Sequence, residues 1–454
     1  MSDPTALVYG LAVAGASTVR ALLRRGWNVV AADDVITDER SAVADELGVE
    51  LVDTPRGLEL DDLLRSCRML SPAPGIPETH DVIVAARRLG VEIASEIELA
   101  YRWEQGRPGG PRPMLAVTGT DGKTTTTLMT VAMLRAAGVS TVDAGNTDTP
   151  LVDAIADETL DALVVECTSF RLAWAPTFRA EAATWLNLAP DHLNWHFSMQ
   201  TYEDAKATIW ANQRPTDAAI AFTGDVTVMK RQAAMPSRRL SFGIGGDYHF
   251  RPDGPGSAGG TLVGPDGDIA TTADMRRSLP HDITNALAAS AMVLESGLAD
   301  VDAIARALAD FVGPPHRLEH IGRWRDVDWY NDSKATTPHA ASVAIRAFDR
   351  VVLIAGGKDK MVDLAEMATD LDRVKAVIAI GQTRSSVAEA FDAVPVVETT
   401  EFLPAAVERA AEIAVGGDTL LLSPGCASLD QYPSFEARGD HFRTLAHSLN
   451  GADS

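Results

Sequence analysis

Short apolar runs alternate along the chain with longer stretches whose apolar residues recur at helical spacing. Residues 6–9, 114–117, 162–165, 351–354 and 376–380 are such runs, and they predict strands buried on both faces of a parallel sheet. Residues 125–137 and 300–311 have helical periodicity, and residues 202–209 also read as helix. This alternation predicts doubly wound α/β sheets with ligands at the carboxyl ends of the strands. Two breaks divide the pattern. In residues 105–113, Gln-Gly-Arg-Pro-Gly-Gly-Pro-Arg-Pro, neither helix nor strand can propagate, and residues 312–315, Val-Gly-Pro-Pro, repeat the interruption. Three α/β segments result, 1–107, 108–313 and 314–454, as expected for 454 residues at about 150 per domain. Residues 254–267, rich in Gly and Pro, predict a loop or hairpin.

Composition narrows the class. The chain is 46% hydrophobic, too much for a disordered protein. Lys+Arg number 40 against 63 Asp+Glu, and the net charge of −23 repels a nucleic-acid backbone. Local basic pockets for small anions remain open to it. Cys67, Cys167 and Cys426 form no CxxC pair, which argues against a disulfide framework or a zinc knuckle. No run reaches the roughly 18 apolar residues of a membrane span. The first basic residue is Arg20, so a secretory signal is not expected. These features predict an acidic, cytoplasmic, multidomain protein without nucleic-acid or membrane partners.

The strongest chemical signal is residues 117–125, Val-Thr-Gly-Thr-Asp-Gly-Lys-Thr-Thr, placed between a predicted strand and a predicted helix. That is the context of a phosphate-binding loop, where backbone N–H groups and a helix N-terminus face the phosphates. Lys123 would reach the β/γ oxygens and the Thr124 hydroxyl would ligate Mg²⁺. Val117 stands where the standard pattern has its first glycine, so the loop is a shortened variant. Glu166 ends the next apolar run and is a candidate Mg²⁺ ligand. Asp191 and His192 adjoin in a loop, with His192 a candidate for a second metal; His196 reads as structural or exposed. Lys206, from its surroundings alone, reads as a solvated helix residue.

In the third segment, Arg317 and Lys334 are candidates to clamp phosphate or carboxylate, and Asp332 to accept a ribose hydroxyl. Residues 353–360 end a strand with a Gly-rich basic turn that suits a second anion site and includes Lys360. Residues 420–431 form another strand and polar turn, in which Cys426 reads as a packed small residue. Near the N-terminus, residues 8–15 (Val-Tyr-Gly-Leu-Ala-Val-Ala-Gly) resemble a dinucleotide turn with Ala12 at the middle glycine. Asp33 and Asp34 follow where a ribose-binding acid would sit.

Together, in this order and over essentially the whole chain, these motifs resemble the Mur ligase family. Residues 118–125 match its short ATP loop, with Asp121 where Asn is commoner. Residues 331–336 (Asn-Asp-Ser-Lys-Ala-Thr) and 422–431 (Leu-Ser-Pro-Gly-Cys-Ala-Ser-Leu-Asp-Gln) are the most specific matches, and they favour the branch that adds glutamate. The resemblance implies three domains: a Rossmann-like UDP-binding domain, a central P-loop ATPase α/β domain, and a C-terminal Rossmann-like α/β domain that takes glutamate. It implies a monomer that joins D-glutamate to UDP-MurNAc-L-Ala in peptidoglycan precursor synthesis, using ATP and two Mg²⁺ ions. Gly119, Thr120, Asp121, Gly122, Lys123, Thr124 and Thr125, with Asn285, Arg317 and Asp332, would hold ATP. Thr124, Glu166 and His192 would ligate Mg²⁺. Lys206 matches a lysine that the family carbamylates with CO₂, which turns a cation into a carboxylate-like ligand. Gly10, Asp33 and Asn146 would contact the UDP substrate, and Lys334, Thr336, Lys360, Ser423 and Tyr432 would surround glutamate. The chain departs from the family at Asn194 and Trp195, where an acidic and a basic residue are usual. It departs again at Val35, where some members have an arginine, and at Met361, which replaces a common glycine.

The implied mechanism is in-line attack of the substrate carboxylate on the γ-phosphate, giving an acyl phosphate, followed by attack of the glutamate amine. Lys123, His192, Lys206 and Lys334 are the catalytic candidates, and domain closure is expected because ATP groups lie in two segments. The glutamate side chains named would suit either enantiomer. The alternatives are a folate-type or L-glutamate ligase of the same superfamily, a P-loop ATPase regulator, and an NAD-dependent dehydrogenase. The last needs its middle glycine and leaves the phosphate loop unexplained. Replacing Lys360 by alanine should raise the glutamate KM far more than the ATP KM in steady-state assays. Equal rises would contradict its placement.

Overall fold

The computed structural model describes residues 4–359 and 362–451, and Lys360 and Met361 lie outside them. The chain forms two compact units, Met1–Phe311 and Val312–Ser454. In the first, β1 (Thr5–Tyr9), β2 (Asn28–Asp33), β3 (Glu50–Asp53), β4 (Met69–Pro72) and β5 (Glu92–Ile93) make a parallel sheet of order β3-β2-β1-β4-β5. A second parallel sheet contains β6 (Met114–Thr118), β7 (Thr141–Gly145), β8 (Ala162–Glu166), β9 (Ala182–Trp185), β10 (Ala218–Phe222) and β11 (Arg238–Phe242). Its order is β11-β10-β9-β6-β8-β7. A three-stranded antiparallel sheet follows, β12 (His249–Pro252), β13 (Gly260–Gly264) and β14 (Gly267–Thr271), so the Gly/Pro-rich stretch does carry a hairpin.

Side-chain alternation along the strands explains why the runs are apolar throughout. On β6, Met114 and Ala116 join one core while Leu115 and Val117 join the core on the opposite face. On β8, Leu163 and Val165 divide from Val164 in the same way. A strand covered on both faces has no solvent side to be polar. The first of these cores also holds Ala6, Val8 and Ala31 of the first sheet. Apolar packing is therefore continuous across the proline-rich stretch, which ends helix Glu96–Gln105 without opening the core.

The second unit has β15 (Glu319–Trp324), β16 (Val327–Asn331), β17 (Val351–Gly356), β18 (Val374–Ile380), β19 (Val396–Thr399) and β20 (Thr419–Leu422), ordered β15-β16-β20-β17-β18-β19. Only β15 is antiparallel to its neighbour.

Buried carboxylates tie loops to these layers. Glu98, on helix Glu96–Gln105, is fully buried and accepts from the Thr177 and Phe178 backbone N–H groups at 3.0 and 2.9 Å. It also accepts from Arg102 Nε at 2.7 Å. Glu98→Ala should destabilise the chain by about 3 kcal/mol in urea unfolding, because each orphaned buried donor costs roughly 1–3 kcal/mol. A loss below about 1 kcal/mol would mean that water satisfies those donors.

Candidate functional site

Pairing of Val117 with Glu166 and of Thr118 with Trp185 puts the end of β6 between the ends of β8 and β9. The loop that leaves β6 runs into helix Lys123–Ala136 through Gly122, whose φ is +83°. A Cβ at Gly122 would come within 2.8 Å of Asn285 Oδ1, so glycine is required by both conformation and space. Asn285 also accepts from the Thr126 hydroxyl at 3.2 Å, which fixes it against the loop. Asn187, at the end of β9, accepts from the N–H groups of Thr120 and Asp121, each at 2.9 Å. The residue reading passed over Asn187. The signal was an amide placed just after a strand that neighbours the loop.

Two lysines converge on this loop. Lys123 Nζ donates to the carbonyls of Gly119 and Thr120 at 3.0 and 2.8 Å. Lys206 Nζ, on helix Met199–Ala211, donates to the same Gly119 carbonyl at 2.6 Å and is 1% exposed. The solvated reading of Lys206 is thus corrected: its helix turns this face onto the loop. Burial, and then the neighbouring Lys123 charge, push the Lys206 ammonium well below its ordinary range. Tyr202 of the same helix lies 3.1 Å from the Thr120 hydroxyl.

Glu166 is buried. Its Oε1 accepts from Asn146 Nδ2 at 2.8 Å, and its Oε2 is buried with no hydrogen-bond partner. Asn146 is exposed, and its Oδ1 accepts from Arg171 at 3.2 Å. Arg171 is itself buried, with its Nε 3.5 Å from Glu96 Oε2. Glu96 accepts the Val152 N–H at 2.7 Å, and burial raises its carboxyl pKa. Arg171 and Glu96 were not singled out from the sequence, although Arg171 follows directly on the segment that contains Glu166.

His192 has φ +53° and pairs with Asp191 at 3.1 Å. Its ring sits 4.6 Å from that of Phe170, and burial lowers its pKa. His196 is fully buried, with Nδ1 3.0 Å from Glu78. The departure Trp195 donates to the Pro74 carbonyl at 3.0 Å. Among the described residues, no group of three or more His, Cys, Asp or Glu side chains is arranged to hold a metal ion. The expected Mg²⁺ donors include only two of those types, and the unpartnered Glu166 Oε2 is a hard oxygen suited to that ion.

At the amino-terminal turn, Gly10 has φ +95°, and a Cβ on Gly15 would lie 1.9 Å from the Gly10 carbonyl. Asp33 accepts from the Leu11 N–H at 2.8 Å and from Arg40 at 2.7 Å. Asp34 gathers Tyr9, His80 and Arg56, at 2.8, 2.7 and 3.3 Å.

In the second unit, Asp332 accepts from the Ser423 hydroxyl at 2.7 Å and from the Leu318 N–H at 3.1 Å. Lys334 Nζ lies 3.8 Å over the Phe435 ring, the Thr336 N–H donates to the Lys334 carbonyl at 2.8 Å, and the Tyr432 hydroxyl is 2.7 Å from His441 Nδ1. Arg317 is half-buried between His316 and Leu318, which have φ of +61° and +42°. Cys426 is buried. Arg438, which was not anticipated, is 1% exposed and donates to Ser333 Oγ and the Ser333 carbonyl at 2.9 Å and to the Cys426 carbonyl at 3.2 Å. Its signal was an arginine between Phe435 and Phe442 on an otherwise apolar helix face.

A parallel α/β unit with a glycine–lysine loop at the switch point of its sheet defines a nucleotide-phosphate-binding protein of the P-loop class. Residues 117–293 match the Mur ligase middle domain, and residues 316–426 match the Mur ligase, glutamate ligase domain. The chain belongs to the Mur ligase family. It is 39% identical to the UDP-N-acetylmuramoylalanine--D-glutamate ligase of Frankia casuarinae, covering 98% of this chain and 94% of that one. The protein of the same name from Streptomyces avermitilis is 36% identical, with 97% of each chain covered. Solved structures share the fold. UDP-N-acetylmuramate-alanine ligase MurC from Thermotoga maritima matches with a TM-score of 0.58 at 18% identity, over 98% of this chain and 99% of that one. A pseudomurein peptide ligase type C from Methanothermus fervidus matches with a TM-score of 0.60 at 15% identity, over 98% and 100%.

The Lys206 amine carries a pH signature. Burial lowers the folded-state pKa of this lysine below its unfolded value of about 10.4, so between the two values the folded chain binds less of that proton than the unfolded chain does. The resulting destabilisation fades as pH rises toward that value. Lys206→Met should therefore gain stability relative to the wild type near pH ~7, and the gap should narrow by about pH 9.5 in urea titrations. A gap that does not change with pH would mean that the folded lysine keeps its proton.

Proposed function

We propose that this chain is an ATP-dependent amide-bond-forming ligase that adds D-glutamate to UDP-MurNAc-L-Ala in cytoplasmic peptidoglycan precursor synthesis, acting as a monomer. The observation that carries the reading is the convergence of Lys123 and buried Lys206 on the Gly119 carbonyl of the phosphate loop. Similarity along nearly the whole chain to proteins named as D-glutamate ligases supports the substrate assignment.

In this reading segments 1–107, 108–313 and 314–454 act as UDP-substrate, ATP and glutamate domains. Gly10, Asp33 and Asn146 contact the UDP substrate. Residues 119–125 and Asn285 hold ATP, with Arg317 and Asp332 contributing from the second unit. Lys123 leaves its loop carbonyls to neutralise the γ-phosphate as the substrate carboxylate attacks it in line, and ADP departs. The amine of glutamate then attacks the acyl phosphate and phosphate leaves. Lys334, Thr336, Ser423, Tyr432 and, outside the described residues, Lys360 position that glutamate.

Two Mg²⁺ ions would be held by Thr124, Glu166, His192 and Lys206; when bound they supply Lewis-acid stabilisation of phosphate charge. Lys206 suits its role if its neutral amine adds CO₂, forming an N–C bond and releasing one proton, so that a carbamate oxygen replaces the ammonium. Burial supports this, because only the unprotonated amine is nucleophilic. ¹³C-bicarbonate should give a carbamate carbon resonance that is absent from Lys206→Met.

Phosphate release from ATP and Mg²⁺ with UDP-MurNAc-L-Ala should require D-glutamate and give a product heavier by one glutamate residue. Dependence on L-glutamate would keep the mechanism and overturn the specificity. Release indifferent to both would leave an ATPase and overturn the ligase reading.

A further inference from the structure

The side chains of Glu96, Arg171, Asn146 and Glu166 form a line: an ion pair between Glu96 and Arg171 at 3.5 Å, then two hydrogen bonds, Arg171 to Asn146 and Asn146 to Glu166, whose direction is fixed. A guanidinium only donates and a carboxylate only accepts, whereas the Asn146 amide can present either end. Arg171 donates to Asn146 Oδ1 at 3.2 Å, so the amide nitrogen must face Glu166, to which it donates at 2.8 Å. That bond occupies Oε1 and leaves the buried Oε2 as the oxygen without a partner. Arg171 in turn pairs by charge with Glu96, Nε to Oε2 at 3.5 Å, and the other Glu96 oxygen accepts the Val152 N–H at 2.7 Å. Asn146 is exposed, so these two hydrogen bonds are what set its orientation. Flipped, it would set Oδ1 against the Glu166 carboxylate and take the Asn146 donor away from it.

We infer that Arg171, anchored by Glu96, is a positioning residue that sets the orientation of the Asn146 amide and thereby aims Glu166 Oε2 for divalent-metal ligation. The inference rests on the reading of Glu166 as a Mg²⁺ ligand. Asn146 is the partner one hydrogen bond beyond the candidate ligand, a position that typically changes metal affinity by about 10–100-fold, and Arg171 acts through that amide.

The test measures Mn²⁺ binding by the full chain with a non-hydrolysable ATP analogue, by electron paramagnetic resonance. Removing the buried pair together, as Arg171→Met with Glu96→Gln, avoids leaving an unpaired buried charge. This double variant should melt like the wild type and bind Mn²⁺ at least about 10-fold more weakly. Asn146→Ala should weaken binding similarly. Adding the double change to Asn146→Ala should cause no further loss, because Arg171 acts through that amide. Wild-type Mn²⁺ affinity in the double variant, or full additivity with Asn146→Ala, would overturn the inference. If the double variant melts early, Arg171→Lys, which keeps a donor and the charge, carries the measurement: affinity recovered to within about threefold of wild type supports the inference, and a loss that persists beside an intact melting point overturns it. Glu166→Gln separates the two levels. If it binds Mn²⁺ as the wild type does, Glu166 is no ligand and both readings fall; if it weakens binding while the double variant does not, only the positioning role falls.

Discussion

The carbonyl of Gly119 accepts hydrogen bonds from two lysines, and its position is set by the sheet beneath it. The register of β6 against β8 and β9 puts this peptide where a strand ends and a helix begins. Gly122 then turns the chain with a conformation and clearance that admit no side chain. From there Lys123 folds back onto the loop, and Lys206 reaches it from a helix far along the sequence. One oxygen cannot neutralise two ammonium groups. Lys123 is partly exposed and can share its charge with solvent; Lys206 is enclosed and cannot. The shift in its protonation follows from that difference in enclosure.

The second unit contains a related constraint. Arg438 is buried among neutral acceptors, bridging Ser333 to the Cys426 carbonyl, and thereby joins the loop of Asp332 and Lys334 to the loop that begins at Ser423. The Asp332–Ser423 hydrogen bond joins the same two loops a second time. These turns follow β16 and β20, which are adjacent in the sheet. Two strand ends placed side by side are thus tied into one buried polar network.

Much of this was legible in the sequence. The apolar runs located strands because a parallel sheet buries both faces, and alternation of Met114 and Ala116 against Leu115 and Val117 fills two cores with no polar position. The phosphate loop was legible because its glycine and lysine answer to local geometry. Long-range pairing was not. Lys206 read as solvated because helical periodicity reports which residues share a face, and not what that face meets. Arg171 and Glu96 went unnoticed for the same reason: their meaning depends on partners as far apart as 75 positions in the chain, read as 171 minus 96. Arg438 broke an apolar helix face, a signal that identifies a buried cation without naming its acceptors.

Lys206 and Arg438 answer the same problem in opposite ways. Burial lowers both, yet Arg438 falls only to about 10 and so stays charged near neutral pH. A guanidinium delocalises its charge and spreads its donors over several carbonyls, which makes it a permanent tie between loops. An amine concentrates its charge at one atom and can escape the cost of burial by losing a proton. Having lost it, the amine would carry a lone pair beside the loop. The residue whose burial is hardest to satisfy as a cation is therefore the one best prepared to react as a base or nucleophile, and the fold holds its amine against the Gly119 carbonyl. The Gly119 carbonyl that takes the Lys123 hydrogen bond also takes that of Lys206, so one backbone orientation in this loop serves both amines.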